Sequence, residues 1–295
     1  MQIKIGFDIV YECTQPTPMV LMLNVHPSRQ QDLEAPDRLQ FTPEVSARSY
    51  SDGFGNICTR LIAPAGQLRI CADTIINDAG TPDPIVPDAQ QHEIADLPDE
   101  ALRFLLASRY CETDRLVGTA WALFGQTQAG WPRVQAICDF VNGRINFGYP
   151  HASAIRTAAD ALSDRRGVCR DFAHLAITLC RCMNIPARYC TGYLGDIGVP
   201  RDPAPMDFSA WFEVYLGGAW YAFDARHNMP RIGRILIGRG RDAADVAIST
   251  TFGFNVLRKF TVWTDELPAA DGSKAPIVQP SSPNSSGTPF ALKAI

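Results

Sequence analysis

The stretch from Arg165 to Leu194, RRGVCRDFAHLAITLCRCMNIPARYCTGYL, constrains this chain most. A Gly-Val-Cys turn leads into a run with helical apolar spacing. The run stops at Ile-Pro-Ala-Arg, and a strand-like Tyr-Cys-Thr-Gly-Tyr-Leu follows. Cys169 therefore stands where a loop becomes a helix. There a thiol meets the positive end of the helix dipole, with Arg165, Arg166 and Arg170 close in sequence. Both effects favour thiolate over thiol, and Gly167 would permit close approach of a substrate. Cys180, deep in the same helix, lacks such surroundings. The competing reading makes Cys169 a buried structural thiol.

On either side of this stretch the chain changes character. Residues 1–95 hold short alternating runs such as IKIGFDIVYEC and ICTRLIAPAGQLRICADTII, broken by Pro and Gly. DGFGN, at Asp52–Asn56, reads as a hairpin turn. Several short strands without a strong helix predict an N-terminal β-sandwich, and DAGTPDPIVPDAQQ reads as a linker. From residue 96 to 268 the spacing predicts helices over DEALRFLLASRYCE, RLVGTAWALFG, WPRVQAICDFVNGRI and SAIRTAADALSDRRG, the last ending at Gly167. ARYCTGYL, SAWFEVYL and AWYAFDAR then read as strands, with LGGA as a hairpin turn between the last two. Residues 269–295 are rich in Pro, Ser, Gly and Asn and read as a flexible tail.

Composition narrows the function classes. Apolar residues are 46% and charged residues 20% of 295, the balance of a soluble globular protein whose core needs no disulfide or metal staple. A net charge of -4 without a basic run argues against nucleic acid and anionic membrane as partners. The N-terminus alternates instead of forming a secretory signal. The nine cysteines, scattered in apolar contexts, then read as reduced thiols of a cytoplasmic protein. Cys180 and Cys182 lack zinc-site spacing, so neither metal nor cofactor is expected.

A thiolate nucleophile ordinarily works with an imidazole and a group that orients it. Asp224, at the end of an apolar strand, suits the orienting role, although strand-end acids are also common turn residues. Three histidines compete for the base. His227 follows Asp224 by three residues. His174 lies about 140° around the helix from Cys169 and so reads as a packing residue. His151 precedes the next-to-last helix and is the weaker candidate. Asp171 reads as a cap paired with arginine, and Trp211 and Trp220 as a cross-strand pair; lining a cleft or donating to an oxyanion is the lesser reading of Tyr149. Arg231, Arg234, Arg239 and Arg241 read as a loop paired to Asp242 and Asp245.

The array GVCRDFAHLAITLCRCMNIPARYCTGYL, SAWFEVYLGGAWYAFDAR and the β-rich first region with DGFGN resembles the transglutaminase-like superfamily. The likeness is particularly to its bacterial branch assigned as cysteine proteases, over nearly all of residues 1–265. The resemblance implies an α+β fold: the β-sandwich, then a papain-like core of helices on an antiparallel sheet. It also implies a Cys that attacks an amide carbonyl of a peptide or protein substrate and passes the acyl group to water or an amine. Cys169 matches the family's nucleophile and Asp224 its orienting acid. Ser209 stands at the family's histidine position, in DFSAW, and serine cannot act as a base near pH 7. Two readings follow. In one, His227 replaces the missing imidazole. In the other, the site is a catalytically degenerate binding scaffold. A redox-sensing thiol is a third use of Cys169.

Overall fold

The computed structural model describes residues 1–268; the expected tail lies outside the described residues. The first region contains β1 (Gln2–Cys13), β2 (Thr17–Leu21), β3 (Gln40–Thr42), β4 (Ala47–Ser51), β5 (Ile57–Ala63) and β6 (Gly66–Asn77). The helical region contains α1 (Asp99–Leu102), α2 (Thr113–Phe124), α3 (Trp131–Arg144), β7 (Asn146–Phe147), α4 (Ala158–Asp164), β8 (Arg166–Gly167) and α5 (Cys169–Cys182). Then come β9 (Ala187–Tyr193), β10 (Ser209–Leu216), β11 (Ala219–Phe223), β12 (Ile235–Gly240), β13 (Ser249–Thr251) and β14 (Asn255–Glu266).

Two four-stranded antiparallel sheets form the sandwich, in the orders β14-β1-β6-β3 and β13-β2-β5-β4. Alternation explains the first: Ile3, Ile5, Phe7 and Ile9 of β1 are at most 1% exposed and all lie on one face. The two outermost partners come from the far end of the sequence. β14 runs antiparallel to β1 along nearly its whole length, and β13 pairs with β2. An expected core unit running unbroken to residue 268 therefore does not describe the pairing, because the sandwich recruits strands from both chain ends. The edge of β1 offered unpaired backbone groups, and β14 satisfied them.

The second sheet has the order β11-β10-β9-β12. Every residue of β9 is buried, because the sheet is covered on both faces. α5 packs on β9 and β10. The sandwich meets the sheet at β12: His26 N–H donates to the Leu236 carbonyl, and the Asn56 side chain clamps Arg239 through both its N–H (2.9 Å) and its carbonyl (2.8 Å). DGFGN is thus both the β4–β5 turn and the fastening between the sandwich and this sheet. The LGGA turn joins β10 to β11 with Gly217 and Gly218 at φ 56° and 85°. Two successive positive φ values are those of a type I′ hairpin.

α5 is the pivot. Its residues from Asp171 to Cys182 are all buried, and fully burying a Leu or Ile side chain contributes about 1.5–3 kcal/mol. The Asp171 carboxylate accepts the Val168 N–H at 2.9 Å, closing the N-terminus. The C-terminus stops at Asn184, whose φ is 61°.

Two expected helices are shorter than their spacing suggests. DEALRFLLASRYCE gives only the four residues of α1, since Leu102 and Leu106 are exposed and no continuous apolar face exists to bury. α4 begins at a capping box between Thr157 and Asp160 and ends at Arg165, in the left-handed region at φ 57°. Gly167 does not cap it but pairs with Phe147 in the short parallel β7–β8 ladder.

Candidate active site

The α5 N-terminus, the start of β10 and the turn after β11 converge. The Ala210 backbone N–H donates to the Cys169 sulfur, so the residue next to Ser209 touches the candidate nucleophile. Cys169 is half-buried. Burial pushes its thiol up to about 11, while the Arg226 charge and the Ala210 N–H pull the other way. The expected thiolate is therefore not the resting form, because desolvation outweighs the favourable charges. The opposing cation is also not one of the three expected. Arg170 turns away to the carbonyls of Ser153 and Ala154, stacking on Tyr110. Arg226, from the far side of the site, takes that part.

Asp224 ends its strand with a side chain only 2% exposed. Its Oδ1 accepts the N–H groups of Arg226 and His227, each at 3.0 Å. Its Oδ2 meets His227 Nδ1 at 2.8 Å. One carboxylate thus ties the turn and holds the imidazole of the residue three positions on. Burial would raise the Asp224 carboxyl, yet the charges of His227 and Arg234 and the His227 hydrogen bonds hold it well below the usual carboxylate range. With Nδ1 engaged, Nε2 is the nitrogen left to act.

A cleft of about 660 Å³ is lined by Tyr149, Asp207, Ser209, Arg226, His227 and Arg231, among others. Ser209 and His227 therefore share one cavity, with Asp224 behind His227; Cys169 does not itself line the wall and is met through β10. The Arg226 guanidinium lies 3.7 Å from the centre of the Phe147 ring, and Tyr149 packs edge-on against the same ring at 5.3 Å. The β7–β8 ladder sets this wall beside the α5 N-terminus.

The other histidines stand elsewhere. His174 is fully buried, stacked on Tyr110 at 5.0 Å and tilted against Tyr189 at 5.1 Å, and its Nε2 accepts the Ala243 N–H. It is the packing residue the helix geometry predicts. His151 ends a single 3-10 turn outside the cleft lining.

Several neighbours differ from expectation. Gly167 makes room not for substrate but for Asp171, which is closed off from solvent and paired with Arg156 at 3.3 Å. Trp211 and Trp220 do not pair: Trp211 stands opposite Cys190, while Trp220 stands opposite Tyr215 and beneath Arg188. Of the four arginines, Arg241 alone pairs with Asp245. Arg231 donates to the Gly195 carbonyl, 3.6 Å from Asp196. Arg234 reaches Asp83 at 2.8 Å and Asp224 at 3.2 Å. Asp83 lies in the segment read as a linker, and only its isolated charge among prolines hinted at a fixed role. Among the described residues no cluster of His, Cys, Asp and Glu fits a metal ion, and no helix is long and apolar enough to cross a membrane.

Comparison with known proteins places the chain among members of one superfamily. Residues 122–225 match the profile of the transglutaminase-like superfamily. An uncharacterized protein of Mycobacterium tuberculosis H37Rv is 31% identical over 234 residues, covering 71% of this chain and 73% of the relative. An uncharacterized protein of Mycobacterium leprae is 26% identical over 226 residues, covering 72% and 77%. The crystal structure of "a Putative Cysteine Protease from Cytophaga hutchinsonii" superimposes with a TM-score of 0.80 at 30% identity, covering 91% of each chain.

Proposed function

We propose, on the premise that the chain belongs to the transglutaminase-like superfamily, that it is a thiol-dependent acyl-transfer enzyme cleaving or transferring amide bonds of peptide or protein substrates. The Asp224–His227 bond carries the reading: a buried carboxylate fixes one ring nitrogen of an imidazole that lines the cleft with Ser209. Cys169 is the nucleophile, His227 the base, Asp224 the orienting acid, and Ser209 a wall residue that leaves room for substrate.

The thiol proton passes from Cys169 to His227 Nε2 as sulfur adds to the amide carbonyl. Because the thiol rests protonated, the base is required at the moment of attack. The α5 first turn presents N–H groups without i−4 partners to the developing oxyanion. The C–N bond then breaks and the amine leaves with the imidazolium proton. Water or a second amine attacks the thioester, and its proton returns the thiol. The likeness to the Cytophaga hutchinsonii protein, named "a Putative Cysteine Protease", supports the hydrolytic branch.

The test is reaction with a p-nitrophenyl ester and a fluorogenic peptide library, followed by intact mass. A thioester on Cys169 of the wild type, absent in Cys169→Ala and slowed by about 10²–10⁴ in His227→Ala, is expected. No adduct on Cys169 with any acyl donor would overturn the reading.

One observation favours a second reading, a catalytically silent peptide-binding member. Ser209 occupies the family's histidine position, and the thiol is pushed up to about 11. That reading expects peptide retention in the cleft, unchanged in Cys169→Ala, with no turnover.

A further inference from the structure

We infer that Arg234 is a positioning residue that joins the Asp83 segment and the sandwich to the Asp224–His227 pair. The inference rests on that pair being the acid and imidazole of the proposed site.

Arg234 has a side chain only 7% exposed. Its Nε donates to Asp83 Oδ2 at 2.8 Å and its Nη2 to Asp224 Oδ2 at 3.2 Å. Asp224 Oδ2 is the same oxygen that meets His227 Nδ1. One guanidinium therefore lies between two carboxylates, one of which holds the imidazole. Asp83 Oδ2 also accepts the Arg231 N–H at 2.9 Å, and Asp83 N–H donates to the Arg231 carbonyl, a reciprocal pair that fixes the loop carrying Arg234.

The sandwich holds the other end. Arg29 donates to the Arg234 carbonyl at 3.1 Å while pairing with Asp32 and Asp78. Arg231 is thus fastened to Asp83 and the Arg234 carbonyl to Arg29, and the Arg234 side chain is fastened to the site. The Trp211 ring beneath the guanidinium, 5.3 Å away, completes the seat.

A buried ion-pair array is weak evidence for stability in itself. Its geometry here does something a hydrophobic filler would not: it places a fixed positive charge on the same carboxylate oxygen that holds the imidazole. The other charged or titratable groups facing the pair are Arg226, Arg231, Cys169 and Cys138.

The test is the titration of the His227 imidazole in the full-length chain, followed by heteronuclear NMR in wild type, Arg234→Met, Arg234→Lys and Asp83→Asn. Removing the Arg234 cation favours the imidazolium, so its midpoint rises in Arg234→Met. Removing the Asp83 charge leaves Arg234 less neutralised, so the midpoint falls in Asp83→Asn. Arg234→Lys restores the charge and the wild-type midpoint. Opposite shifts in the two neutralising variants are the signature; a structural role alone would move neither or both alike. Should Arg234→Met fail to fold, the fall in Asp83→Asn and the wild-type midpoint in Arg234→Lys decide. An unchanged His227 titration in folded Asp83→Asn overturns the inference. Because the readout is a titration, its failure is distinct from an absence of acyl transfer, which would tell against the proposed function alone.

Discussion

Gly167 lies so close to Asp171 that a Cβ at position 167 would sit 2.6 Å from Asp171 Oδ2 and 2.7 Å from its Cβ. Asp171 cannot swing clear, because its carboxylate is closed off from solvent and holds both Val168 and Arg156. Gly167→Ala should therefore displace the first turn of α5, destabilising the fold by about 1–3 kcal/mol. Urea unfolding measures the loss. Cys169 alkylation should change as well, since the same turn carries the thiol.

Cys169 should alkylate slowly at neutral pH, its iodoacetamide rate climbing about tenfold per pH unit toward a midpoint near 11. Removing a cation disfavours the thiolate. Arg226→Ala should move the midpoint higher and slow the reaction several-fold at pH 8. A fast-reacting Cys169 at pH 7 would contradict the burial argument.

Ser209→His would place an imidazole in the wall of the cleft, one residue before the N–H that touches the Cys169 sulfur. The nearby imidazolium favours the thiolate, so the alkylation midpoint should fall. Acyl transfer to an activated ester should rise, toward the 10²–10⁴ range typical of a positioned base. Stopped-flow release of p-nitrophenol provides the rate.

Asp224 contributes stability with a defined pH sign. Its folded-state carboxyl is held below the 3.8 of an ordinary one. The contribution is therefore complete above that value and is lost as pH falls below it. The difference in unfolding free energy between wild type and Asp224→Asn should shrink between about pH 4 and pH 2.

His174→Ala removes a ring held between Tyr110 and Tyr189. It should cost about 3 kcal/mol by the cavity it leaves, measured by thermal unfolding. The Cys169 alkylation profile should stay that of the wild type, as befits a packing residue.

Local chemistry was legible where neighbours in sequence are neighbours in space. Helical spacing and the Asn-Ile-Pro stop marked α5, Gly217–Gly218 marked the β10–β11 hairpin, and a separation of three residues put His227 within reach of Asp224. DEALRFLLASRYCE misled for the converse reason: a periodic run becomes a helix only if something covers its apolar face.

The sequence by itself determined the α5 helix and the strand after it, the nearness of His227 to Asp224 and the serine at position 209. Tertiary structure alone decided how much water the thiol keeps, which cation faces it, that β14 completes the first sheet, and that Asp83 reaches Arg234. Each of these joins residues distant in sequence. Desolvation and Coulomb terms depend on distance in space and on the surrounding dielectric, and neither is fixed until the sandwich has closed over the core sheet.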